Sequence, residues 1–516
     1  MSDISELAQE LTRLGIRYVF GIPGEGPSLE LLSELERGGC EFEAVGHEGA
    51  AALMAGGFGR VTGIPGVSLS IKGPGFANLL SGIASNWLDR NPSLSFSESY
   101  GPGSSPRRMH KRLAHALMVK PIVKAYADNP LPALIPQLWN TCLSEEPGPV
   151  HIDISGRLSG ETLESYQENH SPGTLSNEAA GAIRGAKRPL IIVGSLATRR
   201  GWRKLLESLR IPILTTVSGK GAVAEDGGWS AGVFTNAGGP ASPERALLPN
   251  ADLIVGLGLR TSELLDSRPL GVPLVLVDEL PGHAKGLEAL EECCVKEDGV
   301  CEALQLLVDK EWGHTEVDAS RRNLAARFQY DQWLPGSALL AAQAFLPSDT
   351  RFVLDTGSFC TIGEHALMSR WPNHIMGSSG ARSMGVSLPV GIGAALGTPE
   401  IPTVVVVGDG GVRMYPETMT VAVRRNLPII VLVMSDGYYS SVRQAAVYKG
   451  FTQKPVVLDR CRWSAVFQAM GCSSERVESQ AALQRALQSW TQMRGPLVLE
   501  LSFDQEKYLT MTEGIR

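Results

Sequence analysis

The sequence predicts an α/β fold of three doubly wound parallel-sheet domains. Three observations predict it. Apolar strand-like runs alternate with helix-like segments from end to end. The 516 residues are too many for one ordinary core. Polar stretches at 155–173 and 309–337 then divide the chain into three blocks of domain size.

The first block (1–165) opens with the helical pattern ISELAQELTRLG. It continues with the strand YVFGIPG, the helix SLELLSELERG and the strands GVSLSI and GPVHIDI. The second (175–325) carries the strands RPLIIVGS, IPILTT, ADLIVGLG and VPLVLVD with helices between them. The third (338–516) carries RFVLDTGS, the glycine-rich helix GVSLPVGIGAALG, then TVVVVGDGG, LPIIVLVMSDG and PLVLELS.

Composition narrows the function classes. Hydrophobic residues make up 43% and charged residues 20%, a globular balance. A net charge of −7 without a basic block argues against nucleic acid as a partner. The apolar runs are too short to cross a bilayer. The N-terminus has acidic residues and helical spacing and does not read as a secretory signal. The eight scattered cysteines contain no CxxC pair and read as reduced thiols of a cytoplasmic protein.

The chemistry concentrates in GDGGVRMYPETMTVAVRRNLPIIVLVMSDGYYS. Ligands of open parallel sheets bind beyond the carboxyl ends of strands. Asp409 stands at such an end between Gly408 and the pair Gly410–Gly411, and Asp436 ends the next strand. The segment PETMTVAVRRN is expected to start a helix whose free N–H groups meet a phosphate. Two hard carboxylates beside a phosphate site suggest Mg²⁺ on a diphosphate. The alternative is two unconnected helix N-caps.

GDG followed some twenty-five residues later by an Asn or Asp at a strand end resembles the diphosphate motif of thiamine-diphosphate enzymes, which usually carry Asn-Asn where this chain has Ser435–Asp436. The likeness is strongest to acetohydroxyacid synthases, benzaldehyde lyases and 2-oxoacid decarboxylases, and it runs through VFGIPGEGPSLELL, VGHEGAAALMAGGFGRVTGIPGV, SIKGPGFANLLSGIASNWLDRNP, IPILTTVSGKGAVAED and GARSMGVSLPVGIGAALG. It implies pyrimidine-binding, central and diphosphate-binding domains in that order. It implies a catalytic glutamate at Glu48 and a supporting methionine at Met384. The metal ligands become Asp409, Asp436 and the main-chain oxygen of Tyr438. Cofactor contacts fall at Pro23, Gly24, Gly73, Pro74, Asn78, Gly357, Ser358, Ser383, Tyr439 and Ser440, with Gly408, Gly410 and Gly411.

The resemblance further implies decarboxylation of a 2-oxo acid with acyl transfer to a carbonyl acceptor, by a homodimer or homotetramer. Alternatives are a non-transferring decarboxylase, a hydroxyketone lyase, or a cofactor-binding protein without turnover. Some relatives hold FAD in the central domain, and nothing in the sequence supports or excludes it here. The chain departs from acetohydroxyacid synthases in SPRRMHKRLAHALMVKPIVKAY, where His110 and Lys111 replace Phe and Gln. His115 is expected one helical turn further on. The histidines are candidates for proton relay, and Lys111 or Arg112 for holding a substrate carboxylate; the alternative is a solvated basic helix start. Gly411 and Arg413 also differ from relatives, and Arg413 is expected to bring a cation close to the diphosphate.

Overall fold

A computed structural model describes residues 3–515 apart from 102–103, 106, 108–109, 157, 159, 161, 166–170, 284 and 329–331. Among the described residues, nineteen strands form three sheets. The first contains β1 (Tyr18–Gly21), β2 (Glu41–Ala44), β3 (Gly66–Ser70), β4 (Ser93–Glu98), β5 (Ala125–Asp128), β6 (Pro149–Ile154) and β7 (Thr162–Ser165). The second contains β8 (Pro189–Val193), β9 (Ile213–Thr215), β10 (Ser230–Val233), β11 (Leu253–Leu257), β12 (Leu274–Asp278) and β13 (Glu291–Cys294). The third contains β14 (Arg351–Leu354), β15 (Ile375–Gly377), β16 (Thr403–Gly408), β17 (Ile429–Ser435), β18 (Ser473–Val477) and β19 (Leu497–Ser502).

The strand orders are β2-β1-β3-β4-β6-β5-β7, β10-β9-β8-β11-β12-β13 and β15-β14-β16-β17-β19-β18. In each sheet the first strand has its second on one side and a later strand on the other. That produces a switch point at β1/β3, β8/β11 and β14/β16, where a crevice opens beyond the strand ends. The central strands are buried on both faces, which is why TVVVV and IIVLVM read as continuous apolar runs rather than alternating ones.

Two segments read as boundaries contain structure. β7 lies within 155–173 and pairs antiparallel with β5 as the sheet edge. Four residues are too few to display a periodicity, and a short polar edge strand is how sheets blunt an open edge. The Arg-rich stretch at 309–337 contains the helix His314–Phe328, whose buried Val317, Ser320, Leu324 and Phe328 recur at helical spacing.

The first and third domains meet through two helices of small residues, Glu48–Thr62 and Ser387–Gly397, the latter buried at every position. The approach is close enough that a Cβ on Gly57 would lie 2.2 Å from the Val390 main-chain oxygen. No helix among the described residues is long and apolar enough to cross a membrane. All eight cysteines are free thiols.

Candidate active site

The switch point of the third sheet forms a cavity of ≈ 370 Å³. Strands β16 and β17 pair with Gly408 opposite Met434, so the residues that follow each leave the sheet side by side. Asp409 and Asp436 therefore reach one cavity, both buried. The Gly437 N–H donates to Asp409 at 2.7 Å, and Tyr438 N–H and the Ser440 hydroxyl donate to Asp436. Burial pushes the Asp409 carboxyl up, and burial together with the charge of Asp409 pushes Asp436 up to about 6. Among the described residues neither carboxylate has an ion-pair partner. Paired hard oxygens that resist carrying their own charge fit a divalent cation of the Mg²⁺ type.

Gly357, Ser358, Met384, Gly408, Gly410, Gly411, Tyr438, Tyr439 and Ser440 line the same cavity, and Ser383 adjoins Met384. Two helices start here, Ser358–Ala366 and Ser440–Tyr448, with their free N–H groups at the cavity. This corrects the expected phosphate helix. After Gly411 the chain makes irregular turns and a 3₁₀ segment, Pro416–Thr418, and the helix Met419–Arg424 does not line the cavity. The Arg413 guanidinium stays beside Asp409 without lining the cavity: it donates to the main-chain oxygens of Asp409 and Asp459 and lies over Trp463.

Sequence reasoning missed Asp355, at the end of β14. It is fully buried and accepts from Gly385 N–H at 2.8 Å and Ser387 N–H at 3.3 Å, which holds the loop carrying Met384. Burial pushes its carboxyl up to about 7. A Cβ on Gly411 would meet its Oδ2 at 2.0 Å, the physical reason for glycine there. The available signal was an apolar run ending in Asp-Thr-Gly, the pattern that marked Asp409.

The switch point of the first sheet assembles the other group of residues. Glu48 begins the helix Glu48–Thr62, which His47 caps by accepting from Gly49 N–H at 3.0 Å. Glu48 is buried and accepts from the Asn78 amide at 2.9 Å. Gly73 and Pro74 start the helix that carries Asn78. Gly24 follows β1, and its N–H donates to Ser28, whose hydroxyl donates to the buried Glu98 at 2.6 Å. Glu98, which pairs with Lys72 at 3.2 Å, was also missed. Pro23 is exposed beside this loop.

His115 is separated from its expected companions. Residues 111–114 are not helical, Lys111 has a φ of +57°, and the helix His115–Val119 starts only at His115. His110 and Lys111 are exposed, with the His110 main-chain oxygen accepting from the Tyr100 hydroxyl. His115 is buried, stacked on Phe76 with centroids 3.8 Å apart. Its Nδ1 is 2.8 Å from Asp153, and its Nε2 accepts from Gly73 N–H at 3.4 Å. An Nε2 that accepts requires the proton on Nδ1, so the imidazole joins Asp153 to the Gly73 turn. Asp153 also takes His151 at 3.2 Å and the Tyr126 hydroxyl at 2.8 Å. Burial opposes its charge, yet the hydrogen bonds from His115 and His151 hold it below the usual carboxylate range. His365 lies near the far end of the helix that starts at Ser358, away from the cofactor-sized cavity.

At the switch point of the second sheet the chain fills its own crevice. The carboxylate of Glu263 accepts from Ser195 N–H at 3.0 Å, the Ser195 hydroxyl and the Thr216 hydroxyl. Asp278, at the end of β12, is taken by Arg260 through two bonds of 2.8 and 2.7 Å. A dinucleotide needs those N–H groups and that acid free, so these residues do not fit FAD at this crevice.

A cavity of ≈ 790 Å³ lies along the β2 edge of the first sheet and gathers no pair of buried carboxylates.

Three family models match the chain in order. They are the thiamine pyrophosphate enzyme N-terminal TPP binding domain at residues 5–116, the central domain at 176–284 and the C-terminal TPP binding domain at 355–501. The chain is 28% identical to a probable 2-ketoarginine decarboxylase of Pseudomonas aeruginosa, over 96% of this chain and 93% of that protein. It is 26% identical to a catabolic acetolactate synthase of Raoultella terrigena, over 96% and 94%. It is 24% identical to the acetolactate synthase isozyme 2 large subunit of Escherichia coli, over 98% and 96%. With both TPP-binding domains matched over the two switch points just described, the chain belongs to the thiamine pyrophosphate enzyme family and is a thiamine-diphosphate-dependent enzyme.

Proposed function

We propose that the enzyme decarboxylates a 2-oxo acid with thiamine diphosphate and Mg²⁺ and passes the acyl unit to a carbonyl acceptor. One observation carries the reading. A buried carboxylate, Glu48, is held by Asn78 in the first domain, and a separate cavity in the third gathers two buried carboxylates and two helix starts. When bound, the cofactor supplies the electron sink that decarboxylation beside a carbonyl needs.

The chain's own residues do the rest. Asp409, Asp436 and the Tyr438 main-chain oxygen would hold Mg²⁺, whose charge would offset the burial that pushes both carboxyls up. N–H groups at Ser358 and Ser440 and along Gly408–Gly411 take the diphosphate. Glu48 holds a proton at the pyrimidine ring, oriented by the Asn78 amide. Met384 supports the cofactor from the loop that Asp355 ties down. The exposed Lys111, next to Arg112 over the Tyr100 ring at 4.6 Å, offers positive charge to a substrate carboxylate.

Every residue lining the third-domain cavity falls between 356 and 508, so Glu48 is supplied from outside it. We read the working enzyme as a homodimer or homotetramer in which a first domain of one chain closes over a third domain of another.

The relative named as a probable 2-ketoarginine decarboxylase favours a second reading, release of an aldehyde without transfer. A panel of 2-oxo acids, 2-ketoarginine included, separates the two. CO₂ and carbonyl products are measured with and without an added aldehyde. A hydroxyketone formed with the acceptor supports transfer, and aldehyde alone supports the second reading. No CO₂ from any acid overturns both.

A further inference from the structure

A further cavity, of ≈ 460 Å³, lies between the second and third domains. Its walls come from β10, the helix His314–Phe328, the helix Pro335–Phe345 and the end of the helix Ser358–Ala366. Apolar side chains dominate, among them Leu324, Phe328 and Leu340. The size is that of sites that take small organic molecules.

One feature marks it as more than a packing gap: the lining charges are unbalanced. Lys220 and Glu225 neutralise each other through a buried pair at 2.7 Å, leaving Arg321 and Arg322 without an opposing lining carboxylate. Arg321 is partly engaged, donating to the Gly227 main-chain oxygen at 2.8 Å. Arg322 is exposed and makes no ion pair among the described residues.

We infer that this cavity binds a small apolar monocarboxylate, its body among the Leu and Phe side chains and its carboxylate at Arg322. The helix Ser358–Ala366 joins it to the cofactor. Ser358 at its start lines the cofactor cavity, while His365 and Ala366 at its end line this one. A ligand bound at one end therefore biases the position of the other, which makes the cavity an effector site.

The test uses holoenzyme with thiamine diphosphate and Mg²⁺, titrated calorimetrically with 4-phenylbutyrate and 4-phenylbutanol. One phenylbutyrate binds per chain. Arg322→Glu weakens phenylbutyrate about tenfold or more and phenylbutanol by less than about threefold. Ala325→Trp, a substitution at an exposed helical position lining the cavity, removes both. With phenylbutyrate saturating, the affinity of apoenzyme for thiamine diphosphate shifts about fivefold or more. No binding at millimolar probe overturns the site. Binding that both variants leave intact places the probe elsewhere, the cofactor cavity included, and overturns it as well. Binding that leaves the thiamine diphosphate affinity unchanged overturns the coupling.

Discussion

Two single residues on the pyrimidine side carry opposite kinds of work. Glu48→Gln keeps an oxygen for the Asn78 amide but removes the exchangeable proton. Turnover should fall about 10²–10⁴-fold, while calorimetry finds thiamine diphosphate affinity within a few-fold of wild type. His115 touches no reacting atom and acts through the Gly73 turn. His115→Leu strips Asp153 of its 2.8 Å partner, and urea unfolding should register a loss of about 1–3 kcal/mol. His115→Asn can still donate to Asp153 but cannot reach Gly73. It should therefore recover the stability and not the cofactor affinity. Wild-type affinity in both variants would leave the turn independent of His115.

At the scale of elements, the loops after β14 and β16 behave as one unit centred on Asp355. Its carboxyl is held at about 7 by burial, against an ordinary value of 3.8. Between those values the unfolded chain gives up the proton and the folded chain keeps it. Stability contributed by this group is thus full below about 4 and lost as pH rises to about 7, by roughly 4 kcal/mol. Asp355→Asn has no proton to lose, so the gap between wild-type and variant apoenzyme in urea unfolding should change by that amount across pH 4 to 8. A constant gap would mean that Asp355 ionises normally.

Asp355 also shows what could be read in advance. The long apolar strands, the parallel character of the sheets and the pairing of Asp409 with Asp436 were legible because buried parallel strands leave long apolar runs with punctuated ends, while short strands such as β2, β7 and β15 leave none. Asp355 and Glu98 had the same strand-end position but lacked flanking glycine pairs to draw notice. The helix starts were misjudged because Met419 follows the glycines in sequence, while Ser358 and Ser440 reach the cavity through separate strands. The turn at Lys111 was hidden by a charge run whose spacing suits a helix equally well.

For the whole molecule, the division of the residues between two domains predicts how activity is shared between chains. Glu48→Gln disables the pyrimidine side and Asp409→Asn the cation side, so each variant alone is inactive. If the working site joins the first domain of one chain to the third domain of another, a mixed dimer holds one site with both defects and one with neither. Random exchange makes about half of the dimers mixed, so refolding the variants together in equal amounts restores about a quarter of wild-type turnover. If both groups came from the same chain, every site would keep one defect and the mixture would stay as inactive as its parents. The recovered fraction thus reports which chain supplies Glu48, independently of which 2-oxo acid is used as substrate.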